Sequence, residues 1–378
     1  MRARTFLALF IMIGAAAGAM LLSGCASAHK TFAYVIGNGT NEVFEFQVNG
    51  NGTLTALGQP NFPVGSNPSS LTPHTSGDFL YVANFSGNNL TLLDINKGNG
   101  NLSVPVSNSI VVPVNPPNIF PAGSGPIAIV MSPTQPFLFV ANQASGDIFS
   151  YTVDPGAGGL GTVQGSPFSI FPGSHPSAMA VSPKGNFLFV GDPALNAVFS
   201  FAIGSNGALT PVSSSPVFIG GAGTPVSLAV EPSGRFLYAA DPANNEVLGF
   251  TIQSDGSLLS VSAPPISVPV GIQPKAVAVD PQGTLLFVAN SGSDNVSVFV
   301  IDASSGKLGQ VTGSPFATGG RGPSALAVSS DSTAVYVTDA ATNDIAALAI
   351  GSDGSLKPIP GSPFGLPTSG RAITLVVR

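Results

Sequence analysis

The sequence predicts an all-β protein, a seven-bladed β-propeller with four antiparallel strands per blade and a ring closed by the C-terminal strand joining the N-terminal blade. Three observations carry this. First, a proline-headed segment recurs at a fixed spacing: Pro176, Pro225, Pro274 and Pro323 stand 49 residues apart, and a fixed period of this length marks a repeat architecture. Second, the periodicity inside each unit is that of strands and tight turns. Third, the two ends of the chain are complementary fragments of one unit.

Each unit opens on a strand such as Pro225-Val226-Ser227-Leu228-Ala229-Val230 or Pro323-Ser324-Ala325-Leu326-Ala327-Val328, and further copies begin at Pro68 and Pro126. A turn follows, as in Ser182-Pro183-Lys184-Gly185, where proline presets φ and glycine accepts a positive φ. The second strand is short and aromatic or branched, as in Phe79 to Ala83, Phe137 to Ala141 and Phe236 to Ala239. The third alternates apolar and polar residues, clearest in Asn295-Val296-Ser297-Val298-Phe299-Val300, and a hairpin such as Ser254-Asp255-Gly256 leads to the fourth. The unit opened by Pro68 carries a Pro-rich insertion around Pro113 to Pro121. Residues Phe32 to Gln59 supply strands two to four of a unit but no opening strand. Ala372 to Val377 supply an opening strand with nothing after it. Six whole units and this split one make seven blades, and closure of this kind leaves no free sheet edge.

Residues 1–24 read as an export signal: Arg2 and Arg4 precede an apolar run from Phe6 to Leu22, followed by Leu22-Ser23-Gly24-Cys25. The quartet resembles the lipobox of bacterial lipoproteins, which makes Cys25, the sole cysteine, the lipidated mature N-terminus, 25–31 a tether and 32–378 the propeller. An uncleaved transmembrane anchor, or an ordinary signal cut after Ala28, remains open as an alternative. On the lipobox reading the protein is exported to the bacterial cell envelope and touches the membrane through its lipid only. Without residues 1–24, Lys+Arg falls from 12 to 10 against 18 Asp+Glu, a formal charge of −8. So acidic a chain lacks the clustered cations that nucleic acid requires. No histidine or cysteine pair stands at metal-ligand spacing, so neither metal nor cofactor is expected. Envelope partners are an unidentified polar ligand or protein, and the expected state is a monomer.

The segments Phe79-Leu80-Tyr81-Val82-Ala83-Asn84 and Leu286-Phe287-Val288-Ala289-Asn290, with the Gly-Ser-Pro-Phe quartets at 165, 313 and 361, resemble the seven-bladed lactonase family that includes 6-phosphogluconolactonase-type propellers. The resemblance covers almost the whole mature chain and implies lactone hydrolysis by His, Arg and Glu on the face carrying the loops between blades. This sequence departs from that set. The family's His-Pro-His appears as His175-Pro176-Ser177, Pro-Arg-His as Pro225-Val226-Ser227, Asn-Glu as Ala240-Asp241, Asn-Arg-Gly-His as Asn290-Ser291-Gly292-Ser293, and Pro-Arg as Pro323-Ser324. Opening a lactone needs a base and a donor for the developing oxyanion, and no such set survives at these positions.

Asn84, Asn142, Asp192, Asp241, Asn290 and Asp339 share one place after strand two, so they form a ring expected at one face, either closing Asx-turns or binding a polar ligand or cation through oxygen. His175, Arg321 and Arg371 lie in loops between blades on that face. His175, Asp192, Asp241, Arg321 and Arg371 are therefore the candidate site. The sequence expects a binding or scaffold propeller, with a lactone hydrolase as the alternative. Convergence of the five side chains on one pocket decides between them.

Overall fold

Branched and aromatic side chains on both faces of a strand cannot be buried by one sheet, so blades must stack face to face around an axis. The computed structural model describes residues 30–105, 118–219, 223–261, 268–269, 271–366 and 371–377, with the short segments 11–13 and 17–20. Among these residues there is no helix, and the strands form seven blades, each four strands deep. Lettering strands a to d from the channel to the rim, the fourth blade runs Ala178–Val181, Phe187–Asp192, Ala197–Ile203 and Leu209–Pro211. The a–b turns and c–d hairpins share one face of the ring. The b–c hairpins and the loops between blades share the other.

The split blade forms as the complementary chain ends require. Arg371–Val377 pairs antiparallel with Thr31–Asn38, from Ala33 opposite Val377 to Asn38 opposite Arg371, and Glu42–Val48 and Leu54–Pro63 complete this first blade. Closure buries a core between the first and seventh blades that includes Val35, Phe44 and Phe46 with Ala327, Tyr336 and Ile345. Two short strands near the N-terminus, Ile11–Ile13 and Ala17–Met20, pair with each other and meet inner strands at Ala229 and Leu375.

Adjacent blades are joined by a repeated seat. The c–d hairpin of each blade carries a glycine with positive φ, as at Gly158 (φ 67) and Gly306 (φ 71). A Cβ on Gly158 would meet the Phe79 ring of the preceding blade at 2.7 Å, and one on Gly306 would meet Phe236 at 2.5 Å. Only glycine satisfies both the turn and the contact. Four of the five tyrosines then donate to the carbonyl of such a glycine: Tyr34 to Gly100 at 2.7 Å, Tyr81 to Gly158 at 2.8 Å, Tyr238 to Gly306 at 2.8 Å and Tyr336 to Gly52 at 3.0 Å. Where Phe139 replaces tyrosine, the Ser150 hydroxyl bonds the Gly207 carbonyl instead.

The outer strand departs from the expected single element. In the second to seventh blades it is two short pieces, as with Leu160–Thr162 and Phe168–Ser169. In the third, fourth, sixth and seventh blades a Ser-Pro step lies between them, within the quartets in all but the fourth. The serine hydroxyl accepts the strand-c amide that faces the gap: Ser166 from Ser150 N at 3.0 Å, Ser314 from Val298 N at 2.8 Å and Ser362 from Ala347 N at 2.9 Å. The quartets therefore repair an interrupted ladder, a demand of the fold rather than of chemistry. The insertion around Pro113 to Pro121 lies largely outside the described residues. Its end, Ile119–Pro121, forms the second outer piece of its blade, with Phe120 opposite Leu90.

A chain ending at Gly370 should lose the six residue pairings of the closing strand. With ladder hydrogen bonds contributing about 1 kcal/mol each, the loss is several kcal/mol. Thermal unfolding of that chain should show a large fall in melting temperature and lowered solubility; an unchanged melting temperature would show that the strand does not close the ring.

Candidate functional site

The sequence repeats place the ring residues at the start of the b–c hairpins of the second to seventh blades, and the structure buries all six completely: Asn84, Asn142, Asp192, Asp241, Asn290 and Asp339 are each 0% exposed. The loop entering each blade folds over them. A Cβ at Gly65 would meet Asn84 at 2.5 Å and one at Gly123 would meet Asn142 at 2.6 Å, so the loop backbone lies directly on these side chains. They occupy the expected end of the blades but do not line an open face there.

Their hydrogen bonds explain the burial. Asp192 accepts Ala194 N at 3.0 Å and Leu195 N at 3.2 Å on Oδ1, and the Ser174 hydroxyl and His175 N, the latter at 2.8 Å, on Oδ2. Asp241 accepts Thr224 N at 2.9 Å and Ala243 N at 3.1 Å on Oδ1, and the Asn244 amide at 2.8 Å on Oδ2. These are Asx-turns extended into clasps that tie each b–c hairpin to its incoming loop. The asparagines clasp differently, donating Nδ2 across the hairpin to the residue five positions on: Asn84 to Asn89 and Asn290 to Asn295 at 2.8 Å, Asn142 to Asp147 at 2.7 Å.

The five candidate residues do not converge. His175 and Asp192 meet through the histidine backbone, while the imidazole Nδ1 lies 3.0 Å from the Gln143 carbonyl of the preceding blade. Asp241 serves the next blade's clasp. Arg321 is exposed three blades from His175, nearly across the ring, and its backbone is fixed by Thr342 Oγ1 at 2.9 Å. Arg371 heads the closing strand opposite Asn38, and its side chain lies outside the described residues, as does Cys25.

The residue after the proline that opens each of the second to seventh units forms a different set, at the channel mouth on the same face. Ser69 Oγ donates to Pro126 O at 2.6 Å and Ser177 Oγ to Pro225 O at 3.0 Å, each reaching the first residue of the next inner strand. In this register the sixth blade presents Lys275, which is exposed. It is the cation among Ser69, Ile127, Ser177, Val226 and Ser324. Sequence reasoning passed over it, although its position beside Pro274 in the repeat marks it. Among the described residues no group of three or more His, Cys, Asp or Glu is arranged to hold a metal ion.

Residues 25–315 match the family model described as lactonase, 7-bladed beta-propeller, which is well over half of the chain. The chain belongs to this lactonase family. Solved structures agree with the fold. A Bacteroides fragilis protein described as a candidate 6-phosphogluconolactonase is 18% identical with a TM-score of 0.78, over 94% of this chain and 100% of that one. The Pseudomonas aeruginosa periplasmic gluconolactonase is 20% identical with a TM-score of 0.76, over 92% and 99%. The hydrazine synthase of Kuenenia stuttgartiensis, 16% identical with a TM-score of 0.59 over 84% and 91%, shares the architecture as well. Identities this low establish the fold alone. No functionally curated protein matches the sequence.

Within this lactonase-family ring, the seventh blade breaks the clasp pattern. Asp339 faces Asp344 across its hairpin, where the second, third and sixth blades pair an asparagine donor with an acceptor. Two carboxylates make that bond only by sharing a proton. Burial, followed by the charge of Asp344, pushes Asp339 up to about 7, and Asp294 adds to the effect. Burial also raises Asp344. An acid whose folded pKa is raised above its unfolded value stabilises the fold less as pH climbs from about 4 to about 7, and the full penalty remains above that. Asp339→Asn supplies the missing donor without a proton. It should raise the melting temperature at pH 8 and flatten the fall between pH 4 and 7, by about 1.4 kcal/mol for each tenfold of proton affinity removed. An unaltered pH profile in the variant would show that the pair holds no shared proton.

Proposed function

We propose that the channel mouth binds a lactone or sugar acid, and that the chain, held at the bacterial cell envelope through Cys25, acts there as a binding propeller. The observation that carries this reading is the contrast between two sets of residues on one face. The buried Asp192 and Asp241 have hydrogen bonds on both carboxylate oxygens. Lys275 stands exposed at the mouth, where a carboxylate or lactone oxygen can reach it. Membership of the lactonase family and the names of the Bacteroides and Pseudomonas neighbours support the ligand class.

A lactone hydrolase is the second reading, favoured by that same membership and by His175. Donation of an Nδ1 hydrogen to the Gln143 carbonyl leaves Nε2 as a basic nitrogen on an exposed loop. Gluconolactone and 6-phosphogluconolactone turnover, with gluconate binding measured beside it, separates the two. The binding reading expects turnover at the uncatalysed rate and gluconate binding weakened about tenfold or more by Lys275→Gln, as a lost charged hydrogen bond implies. Turnover that His175→Ala abolishes would establish the hydrolase. Gluconate binding unaffected by Lys275→Gln would remove the channel-mouth site.

The anchor has its own test. Cys25→Ser removes the sole thiol able to take a lipid and should release a folded protein from the membrane fraction. Retention of the variant would point to an uncleaved apolar anchor instead.

A further inference from the structure

The seam between the first and second blades buries an acid where the other blades have none. Glu45 is the fourth residue of its strand c, and its equivalents are Leu92, Ser150, Ser200, Gly249, Val298 and Ala347. It faces the second blade together with Val43, stands opposite Tyr34 on strand b, and is 1% exposed. Its Oε2 accepts Leu102 N at 3.3 Å. Leu102 opens the outer strand of the second blade, two residues beyond Gly100, whose carbonyl takes the Tyr34 hydroxyl. The acid and the tyrosine of the split blade therefore grip one hairpin from adjacent strands. The core around them is apolar and includes Ile36, Leu71, Leu80, Val82 and Leu93.

We propose that Glu45 is a proton-operated latch: with its proton in place the first and second blades close on each other, and release of that proton to solvent loosens this seam. An ionised carboxyl in an apolar interface is costly unless a cation pairs with it. The titratable groups on the elements packed around Glu45 are turned elsewhere. Glu42 and Asp94 alternate with Val43 and Leu93 onto the opposite faces of their strands, and Tyr81 packs toward the third blade. Lys97 pairs with Asp78 at 2.7 Å, His74 meets Ser76 Oγ within its own turn, and Lys30 lines a cleft beside Ser329 and Asp331 of the seventh blade. Burial accordingly pushes Glu45 up to about 7, and the Leu102 bond pulls the other way without cancelling it. An acid whose folded pKa is raised above its ordinary 4.5 supports the seam fully below that pH. The support declines as pH climbs and is gone above about 7.

Hydrogen exchange of the purified chain tests the latch, read as protection factors so that the intrinsic pH dependence of exchange is removed. Protection at Leu102 and along Glu42–Val48 should fall about tenfold from about pH 5.5 to about pH 8.5. The seam between the fifth and sixth blades, where Tyr238 meets Gly306 and the equivalent of Glu45 is Gly249, sets the baseline. Glu45→Gln keeps an oxygen for the Leu102 amide and cannot ionise, and Glu45→Leu copies Leu92 of the next blade. Each should abolish the pH-dependent fall, and either one suffices if the other folds poorly. Asp339→Asn, in the seventh blade, should leave the fall in place. Protection at this seam that is constant across the pH range, a fall no larger than at the baseline seam, or a fall that persists in a folded Glu45 variant overturns the proposal.

Discussion

The ring depends on the seat that each c–d hairpin glycine finds on the preceding blade. No blade of a propeller is stable alone, because strands b and c are apolar on both faces and each face needs a neighbour. The hairpin glycine fixes the angle and distance at which that neighbour arrives. Its carbonyl receives the tyrosine hydroxyl in four of the seven seams, and the missing Cβ lets the turn rest on an aromatic ring. A fixed angle, repeated at every seam, closes a circle. The last contact, Tyr336 to Gly52, spans 284 residues of chain. It forms only when every earlier seam has the right geometry.

The same repetition limits where chemistry can reside. A polar group repeated at one position of six blades serves the fold: Asp192 and Asp241 clasp hairpin to loop, and Asn84, Asn142 and Asn290 clasp the hairpin itself. Groups available to a ligand occur where one blade departs from the others in a place the fold does not constrain. Lys275 is such a departure at the channel mouth, where the equivalent positions hold serine, valine or isoleucine.

Period, blade count and closure could be read from the sequence because each rests on local pattern: prolines at constant spacing, strands of period two and turns of glycine. The split outer strand could not. Its signal, a Ser-Pro step followed by phenylalanine, shows that something recurs but not that a serine hydroxyl substitutes for a ladder carbonyl. The candidate site was legible only as a set of equivalent positions. Equivalence told that Asp192 and Asp241 share one end of the blades with His175, yet not that a loop backbone lies over them. What covers a side chain is decided by residues from a neighbouring segment, and no periodicity within the unit encodes it.

The seventh blade gathers the departures, and this has a physical meaning. Its seam with the first blade lacks the aromatic seat, and its clasp sets Asp339 opposite Asp344 where the second, third and sixth blades use an asparagine amide. Its partner across the seam is assembled from both ends of the chain. Each feature alone weakens a contact that the other seams make with local redundancy. Local opening begins where buried apolar contacts are fewest and pairing is least local. The closure seam joins residues from both ends of the chain, so its pairing is the least local in the ring.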